Sequence, residues 1–497
     1  MSVLDLSFAR LVGLGFLTTA IYILYYVVYN LFFHPLRHFP GPLLMRATRA
    51  TYCYKLIMGT LPFDVLDIHK KYGEVVRIAP NELAFANPTA FKDIMGHRGA
   101  GEEELPKWEE FYRPIKELPT DIVNANRDEH SLLRRQLAHG FSDRSMRGQQ
   151  PIIKKYIDLL IRRLYENCGA GEKAVNMMAW YNFTTFDVIG DLAFGESFGC
   201  LDNSDYHPWV RAIFQLARVG TIMQTANHFP ILKKIMLAMI PKKAMEERQN
   251  HLEFTRRKLM KRMEATEERP DLVEGLLRKK EEWGLTMEKL QANSSILIIG
   301  GSETTATLLS GVTFLLLTNP DALTKLTDEV RTAFKSEDDI NFNTVSNLPY
   351  MLACLDEALR MYPPVPIGLP RVVPKGGTKI CGYYVPGNTI VAVHHWALYH
   401  NDSIFTEPFS YRPERFLNDP RFANDKREAL QPFHVGSRNC LGRNLAYIEM
   451  RLILARVIWN FDMKIADDSL DWYSRQKIYL LWEKGPLNVF LTPVVRE

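Results

Sequence analysis

Phe433-His434-Val435-Gly436-Ser437-Arg438-Asn439-Cys440-Leu441-Gly442 has the form F-x-x-G-x-R-x-C-x-G and sets one cysteine in a glycine-punctuated loop that opens a helical run. A sulfur in that position faces backbone N–H groups and the positive end of a helix, and both stabilise a thiolate. The other five cysteines, Cys53, Cys168, Cys200, Cys354 and Cys381, are scattered, with no C-x-x-C and no regular spacing. Neither a disulfide framework nor a zinc cluster is indicated, and those five read as inert core thiols.

Upstream, Met287 to Leu317 has helical periodicity and is apolar on most faces, so a buried helix is expected. Gly300-Gly301-Ser302-Glu303-Thr304-Thr305 interrupts it. Two adjacent glycines cost roughly 1 kcal/mol each relative to alanine in a helix. A local bulge is the expected reason, freeing a carbonyl and opening a groove beside the Glu303 carboxylate and the Thr304 hydroxyl. Glu357 and Arg360 stand at i, i+3 on one helix face, and Pro413-Glu414-Arg415-Phe416 adds a second arginine in a turn. His130 and Arg134 lie at i, i+4 on another helix, and Arg371 precedes a block of short strands.

On these motifs the chain resembles the cytochrome P450 haem-thiolate monooxygenases from about Pro40 to the C-terminus. The resemblance implies a mainly α fold with small β-sheets, triangular in outline, with haem b between the Glu303 helix and the Cys440 loop. Cys440 would be the axial thiolate ligand of the iron, donating electron density that favours O–O cleavage. Phe433 belongs to the same loop, Gly436 and Gly442 would admit a flat macrocycle, and Arg438 would pair with a propionate. Arg134 and Arg371 match two further propionate-binding positions. His130 stands where family members often carry Trp, and a histidine can donate the same hydrogen bond. Glu303 and Thr304 match the acid-alcohol pair that delivers protons to bound dioxygen, and Glu357, Arg360 and Arg415 match a buried structural triad. An apolar substrate pocket would be walled by Ile296, Ile299 and Gly300, by Val365, Ile367 and Leu369, and by a C-terminal turn at Leu481.

The run Trp180 to Gly195 reads physically as aromatic core, and its wording resembles filamentous-fungal members that oxidise secondary metabolites, of the isotrichodermin hydroxylase kind. The implied activity is insertion of one oxygen atom of O2 into an apolar small molecule, by hydroxylation or epoxidation. The implied electron source is an NADPH-cytochrome P450 reductase, with cytochrome b5 as an optional second donor. No G-x-G-x-x-G follows a strand and no P-loop is present, so nicotinamide and flavin are expected on a partner. Two alternatives are a haem-thiolate isomerase or dehydratase without external electrons, against which intact Glu303-Thr304 argues, and a membrane-tethered haem carrier without turnover.

Before the body, Leu11 to Phe33 carries no formal charge over 23 residues. As a helix it covers roughly 35 Å against a hydrocarbon core of about 30 Å. It ends in bulky Leu31, Phe32 and Phe33 rather than small residues, which favours an uncleaved anchor over a secretory signal. Arg37, Arg46, Arg49 and Lys55 follow it, while only Asp5 and Arg10 precede it, so the body is expected in the cytosol. The expected organisation is an anchor over 1–33, a Pro-rich hinge over 34–50 around Pro40-Gly41-Pro42, and one haem-binding domain over 51–497. The expected location is the endoplasmic reticulum membrane, single-pass. Sequons at Asn182, Asn293 and Asn401 then never meet the glycosylation machinery.

The remaining composition fits one large α-rich body of 497 residues, 46% hydrophobic and 24% charged. Sixty-one basic against 57 acidic residues leave +4, too little over this length for nucleic acid to be the main partner. Helices are expected over Asn126–Phe141, Pro151–Asn167, Trp180–Phe194, His251–Ala265 and Asp321–Phe334, with strands over Gly73–Pro88 and Arg371–Val393.

Overall fold

The structure, a computed structural model, describes residues 3–99, 103–238, 242–264 and 271–496. The helices that position the site are α1 (Val3–Val28), α2 (Arg127–Gly140), α3 (Asp143–Asn167), α4 (Met177–Phe194), α5 (Met287–Leu317), α6 (Pro349–Met361) and α7 (Arg443–Asn460). Asn126 caps α2 by accepting from the Glu129 N–H at 3.0 Å. Helix α3 starts two turns before Pro151, because Ser142 caps it by accepting from Ser145 N–H and the chain tolerates Pro151 inside the helix. Helix α4 begins three residues earlier than its aromatic periodicity predicts, at the Asn176 cap.

Helix α5 has the bounds that its periodicity predicts, but it runs unbroken through Gly300-Gly301. The expected bulge is absent, and packing supplies the reason for the glycines. A Cβ at Gly301 would stand 2.6 Å from Ile189 Cδ1 of α4, so the close approach of the two helices requires its absence. A Cβ at Gly300 would meet nothing. From Ala306 to Leu316 every residue of α5 is buried, which makes it the central helix of the main apolar core.

The strands are short. β1 (Val75–Ala79), β2 (Glu82–Phe85), β4 (Arg371–Val372) and β7 (Ile390–Val393) form one sheet in the order β1-β2-β7-β4, with β2 and β7 parallel. β5 (Thr378–Ile380) and β6 (Tyr383–Val385) make a separate hairpin. β3 (Ala174–Asn176), β11 (Asn488–Pro493) and β8 (Phe461–Ile465) form a second sheet that brings the chain end back to the start of α4. β9 (Lys477–Ile478) and β10 (Trp482–Glu483) form a C-terminal hairpin. Trp482 fixes this hairpin, its ring stacked on Tyr362 at 4.3 Å and its Nε1 donating to the Pro363 carbonyl at 2.8 Å.

At the N-terminus the apolar segment Arg10–Phe33 is helical and its most apolar stretch is unburied, consistent with a membrane anchor. Its last turn, Tyr29–Phe33, is a π-helical turn, and the backbone becomes extended at His34. That turn is joined to the body. Asn30 is buried, and its side chain donates to the Ala47 carbonyl at 2.9 Å. Arg77 of β1, fully buried, donates to the Asn30 carbonyl at 2.9 Å and twice to that of Pro80. The three sequon asparagines are buried, Asn182 at 0%, Asn293 at 1% and Asn401 at 8% exposure, so the fold itself withholds them.

Candidate functional site

The Cys440 loop is folded on itself. Gly436–Arg438 is a single 3₁₀ turn, the Cys440 N–H donates to the Phe433 carbonyl at 2.8 Å, and α7 starts three residues after the sulfur. Gly436 has φ +78°, and a Cβ there would run into the Met95 carbonyl oxygen. The chain's own backbone therefore demands this glycine, whereas a Cβ at Gly442 would meet only Phe141 at 3.7 Å. Arg134 ties α2 to the loop by donating to the Asn439 carbonyl at 2.7 Å and to the Asn439 side chain.

Of the six cysteines, four are buried, Cys381 is half-buried and Cys440 alone is exposed. Yet burial pushes the Cys440 thiol up, outweighing the Gly442 N–H, Arg134 and Arg443, which pull it down. The sulfur is thus accessible, yet crowded closely enough by protein to be desolvated. The protein's own groups do not make the thiolate. A cation on the sulfur would. Among the described residues no three His, Cys, Asp or Glu converge as a metal site. A metal on Cys440 must therefore bring its remaining ligands with it.

Beside the loop lies an excess of buried and half-buried cations. Arg371 is 6% exposed and the Arg438 side chain 7%. Burial lowers Arg371, and Arg438 repels it further. Lys107 is pushed well below its ordinary value by burial and then by Arg371 and Arg438. His130, 5% exposed, is lowered to about 4 by burial and by Arg438, Lys107 and Arg134. Glu104 answers Arg438, accepting from its Nε at 3.1 Å and its Nη2 at 2.8 Å. Two carboxylates, Glu104 and Asp121, stand against four cations, Lys107, Arg134, Arg371 and Arg438, which leaves positive charge to be matched, and buried like charges are tolerated only when anions neutralise them. Two carboxylates on a planar metal complex fit both demands, so the residues present suit haem. Cys440 would hold its iron, and Arg371, Arg438 and Lys107 its propionates. The structure thus brings His130, Arg134, Arg371 and Arg438 into one cluster around the Cys440 loop. Lys107 and Glu104 were missed in the sequence, because lone charges in an irregular loop carry no periodic signal.

On α5, Thr304 Oγ1 donates to the Gly300 carbonyl at 2.7 Å, back-bonding within the helix. Glu303 is buried and paired with Lys484. The two side chains expected to act together are each bonded elsewhere. Ile296, Gly300 and Thr304 repeat at i, i+4, i+8 on one face, where Gly300 is exposed and the other two half-buried, as is Ile299. Val365, Leu369 and Leu481 are also half-buried. Ile367 differs. It is 5% exposed within the main core, and its carbonyl bonds the His395 ring at 3.1 Å.

Glu357, Arg360 and Arg415 converge with fully buried side chains. Arg360 grips Glu357 with two hydrogen bonds of 2.8 Å and also donates to the Tyr399 and Pro408 carbonyls. Arg415 bonds Glu357 and also Asp425, a fourth member with no signature of its own in the sequence. The cluster pins α6 to the segment that leads into the Cys440 loop.

The family model described as Cytochrome P450 matches residues 49–489. Cytochrome P450 monooxygenase tpeC of Talaromyces stipitatus is 51% identical over 94% of this chain and 92% of its own length. Cytochrome P450 monooxygenase prhB of Penicillium brasilianum is 47% identical, covering 96% of this chain and 98% of that protein. Trichothecene C-15 hydroxylase of Fusarium sporotrichioides is 44% identical over 95% of this chain and 96% of its own.

Proposed function

The chain belongs to the cytochrome P450 family, and from that premise we propose that it hydroxylates or epoxidises a compact, apolar, polycyclic or macrocyclic intermediate of fungal secondary metabolism. It is a cytochrome P450 monooxygenase, and the family implies haem-thiolate chemistry and a redox partner. The observation that carries the site assignment is the accessible but desolvated Cys440 thiol beside a cluster in which cations outnumber carboxylates.

Haem held there supplies dioxygen binding and oxygen-atom transfer, with electron donation from the thiolate favouring O–O cleavage. The chain's own residues do the rest. Arg371, Arg438 and Lys107 hold the propionates, while Arg134 braces the Asn439 backbone next to the ligand sulfur. Thr304 and Glu303 serve proton delivery, Thr304 from a hydroxyl that must first leave the Gly300 carbonyl. Ile296, Ile299, Val365, Leu369 and Leu481 supply an apolar wall, and none carries a charge, which supports an apolar substrate. Ile367 braces that wall from the core side.

The N-terminal helix supports a single-pass anchor, with the body on the cytosolic face of the endoplasmic reticulum. Exposed Ile231, Ile235 and Leu237 offer the bilayer a second apolar contact. An NADPH-cytochrome P450 reductase is the electron source, with cytochrome b5 as an optional second donor. Exposed Arg135 and Arg443 flank the Cys440 loop and suit an acidic partner. Expression beside a reductase, with NADPH-driven oxygen uptake and product analysis on a panel of polycyclic and polyanionic candidates, tests the reading. Oxygen inserted into an apolar ring system supports it. Peroxide rearrangement without NADPH, or tight binding of a small dianion, overturns it.

A further inference from the structure

Lys484, in the connection between β10 and β11, reaches back to α5. Its ammonium pairs with the Glu303 carboxylate and donates to Thr307 Oγ1 at 2.6 Å. The two side chains are 3% and 4% exposed, so this is an ion pair out of water. Removing one partner from such a pair leaves an uncompensated buried charge, which costs far more than loss of a surface pair. Glu303 Oε2 is buried without a hydrogen-bond partner, so the carboxylate is anchored through Oε1 alone. Glu303 and Thr307 stand at i, i+4 on one face of α5, and Thr304 is about 100° round the helix from Glu303. Lys484 thus holds the carboxylate on the Thr307 side, and Thr304 is closed onto Gly300.

We propose that Lys484 is a positioning residue for Glu303: it holds the carboxylate in one place, turned toward Thr307, from which it is presented to the Thr304 side during proton delivery. The inference rests on the reading that Glu303 and Thr304 serve the oxygen chemistry. It gives the C-terminal hairpin a task beyond walling the pocket. Trp482, two residues before Lys484, is fixed between Tyr362 and Pro363, so the lysine reaches α5 from a rigid base. The pair is also one-to-one, since among the described residues Lys484 has no other carboxylate partner.

The test uses the haem-loaded full chain with Lys484→Met, Lys484→Arg, Glu303→Gln and the double variant Glu303→Gln/Lys484→Met. Infrared spectra read the position of the Glu303 carboxylate band, which responds to its ion pair, and turnover reads product per NADPH. Lys484→Met should retain haem and displace a carboxylate band of the parent, a band that Glu303→Gln and the double variant lack. Its product per NADPH should fall at least threefold, because an unanchored carboxylate is no longer presented from one place. Lys484→Arg should stay within twofold of the parent. Parent-like band and ratio in Lys484→Met overturn the proposal, and so does equal loss in Lys484→Arg, which would mean that size rather than charge matters. If Lys484→Met holds no haem, Lys484→Gln replaces it, because glutamine can bond both partners without charge. The same displacement is then expected, and its absence overturns the proposal. Should Glu303→Gln leave product per NADPH unchanged, the catalytic reading of Glu303 falls, while the infrared band still decides whether Lys484 holds the carboxylate.

Discussion

Glu104 holds Arg438 through two hydrogen bonds, from the guanidinium Nε at 3.1 Å and Nη2 at 2.8 Å, and also accepts from Ser437 at 3.2 Å. The arginine that the family motif assigns to a propionate is therefore already aimed by a protein carboxylate. Lys107 and Arg371, next to it, have no carboxylate within hydrogen-bond distance among the described residues: Glu104 acts on both and Asp121 on Lys107 from further off, and the Lys107 ammonium donates to the Val123 carbonyl. Lys107→Met should lower haem retention after dialysis several-fold. Unchanged retention takes Lys107 out of the propionate cluster.

Cys440→Ser should abolish the thiolate signature of the reduced, carbon monoxide-bound protein and all oxygenation. An alcohol is a poor anionic ligand near neutral pH. The loop should survive the change, because its hydrogen bonds run through backbone, Cys440 N–H to Phe433 among them. A native spectrum in this variant ends the ligand assignment.

Thr304→Ala should bind haem and substrate but divert most reducing equivalents to peroxide, while Thr304→Ser, which keeps a hydroxyl able to back-bond Gly300, should recover most of the coupling. Product per NADPH consumed is the measurement. Equal ratios in both variants and the parent place the proton elsewhere.

Stability should fall on acidification through buried histidines. Burial lowers His69 from 6.5 to about 4 and His394 to about 3, each with 3% exposure. Because the folded values are depressed, the unfolded chain takes up protons first. The stabilisation is complete above about pH 6.5 and is lost as pH falls toward 4. Each group contributes a slope of roughly 1.4 kcal/mol per pH unit, about 2 kcal/mol by pH 5. His69→Gln should remove its share of that slope between pH 6.5 and 5 in denaturant unfolding. An unchanged slope excludes His69 as a source.

The sequence made legible what repeats or clusters along the chain. The Cys440 decad, the bounds of α5 and the i, i+3 pair Glu357 and Arg360 are local, and each was readable from spacing. What escaped is what the fold brings from afar. Lys484 lies 181 residues from Glu303 and Glu104 lies 334 from Arg438, and no local pattern connects either pair. Asp425 escaped for the same reason. Gly300-Gly301 was misread because a glycine pair announces a small residue without saying whether the backbone or a neighbour needs it. Ile189 on α4 is that neighbour.

The stitching of Asn30 to Ala47 and Arg77 has a consequence for how the proposed anchor would carry this enzyme. A flexible tether would let the body roll over the lipid surface and present its pocket and its electron-accepting face at any angle. Here the last helical turn is bolted to the first sheet, so the tilt of the N-terminal helix and the attitude of the body are one variable. In the proposed single-pass arrangement, bilayer thickness would set that tilt and with it the height of the proposed apolar pocket above the lipid and the angle of the Cys440 face toward a membrane-bound redox partner.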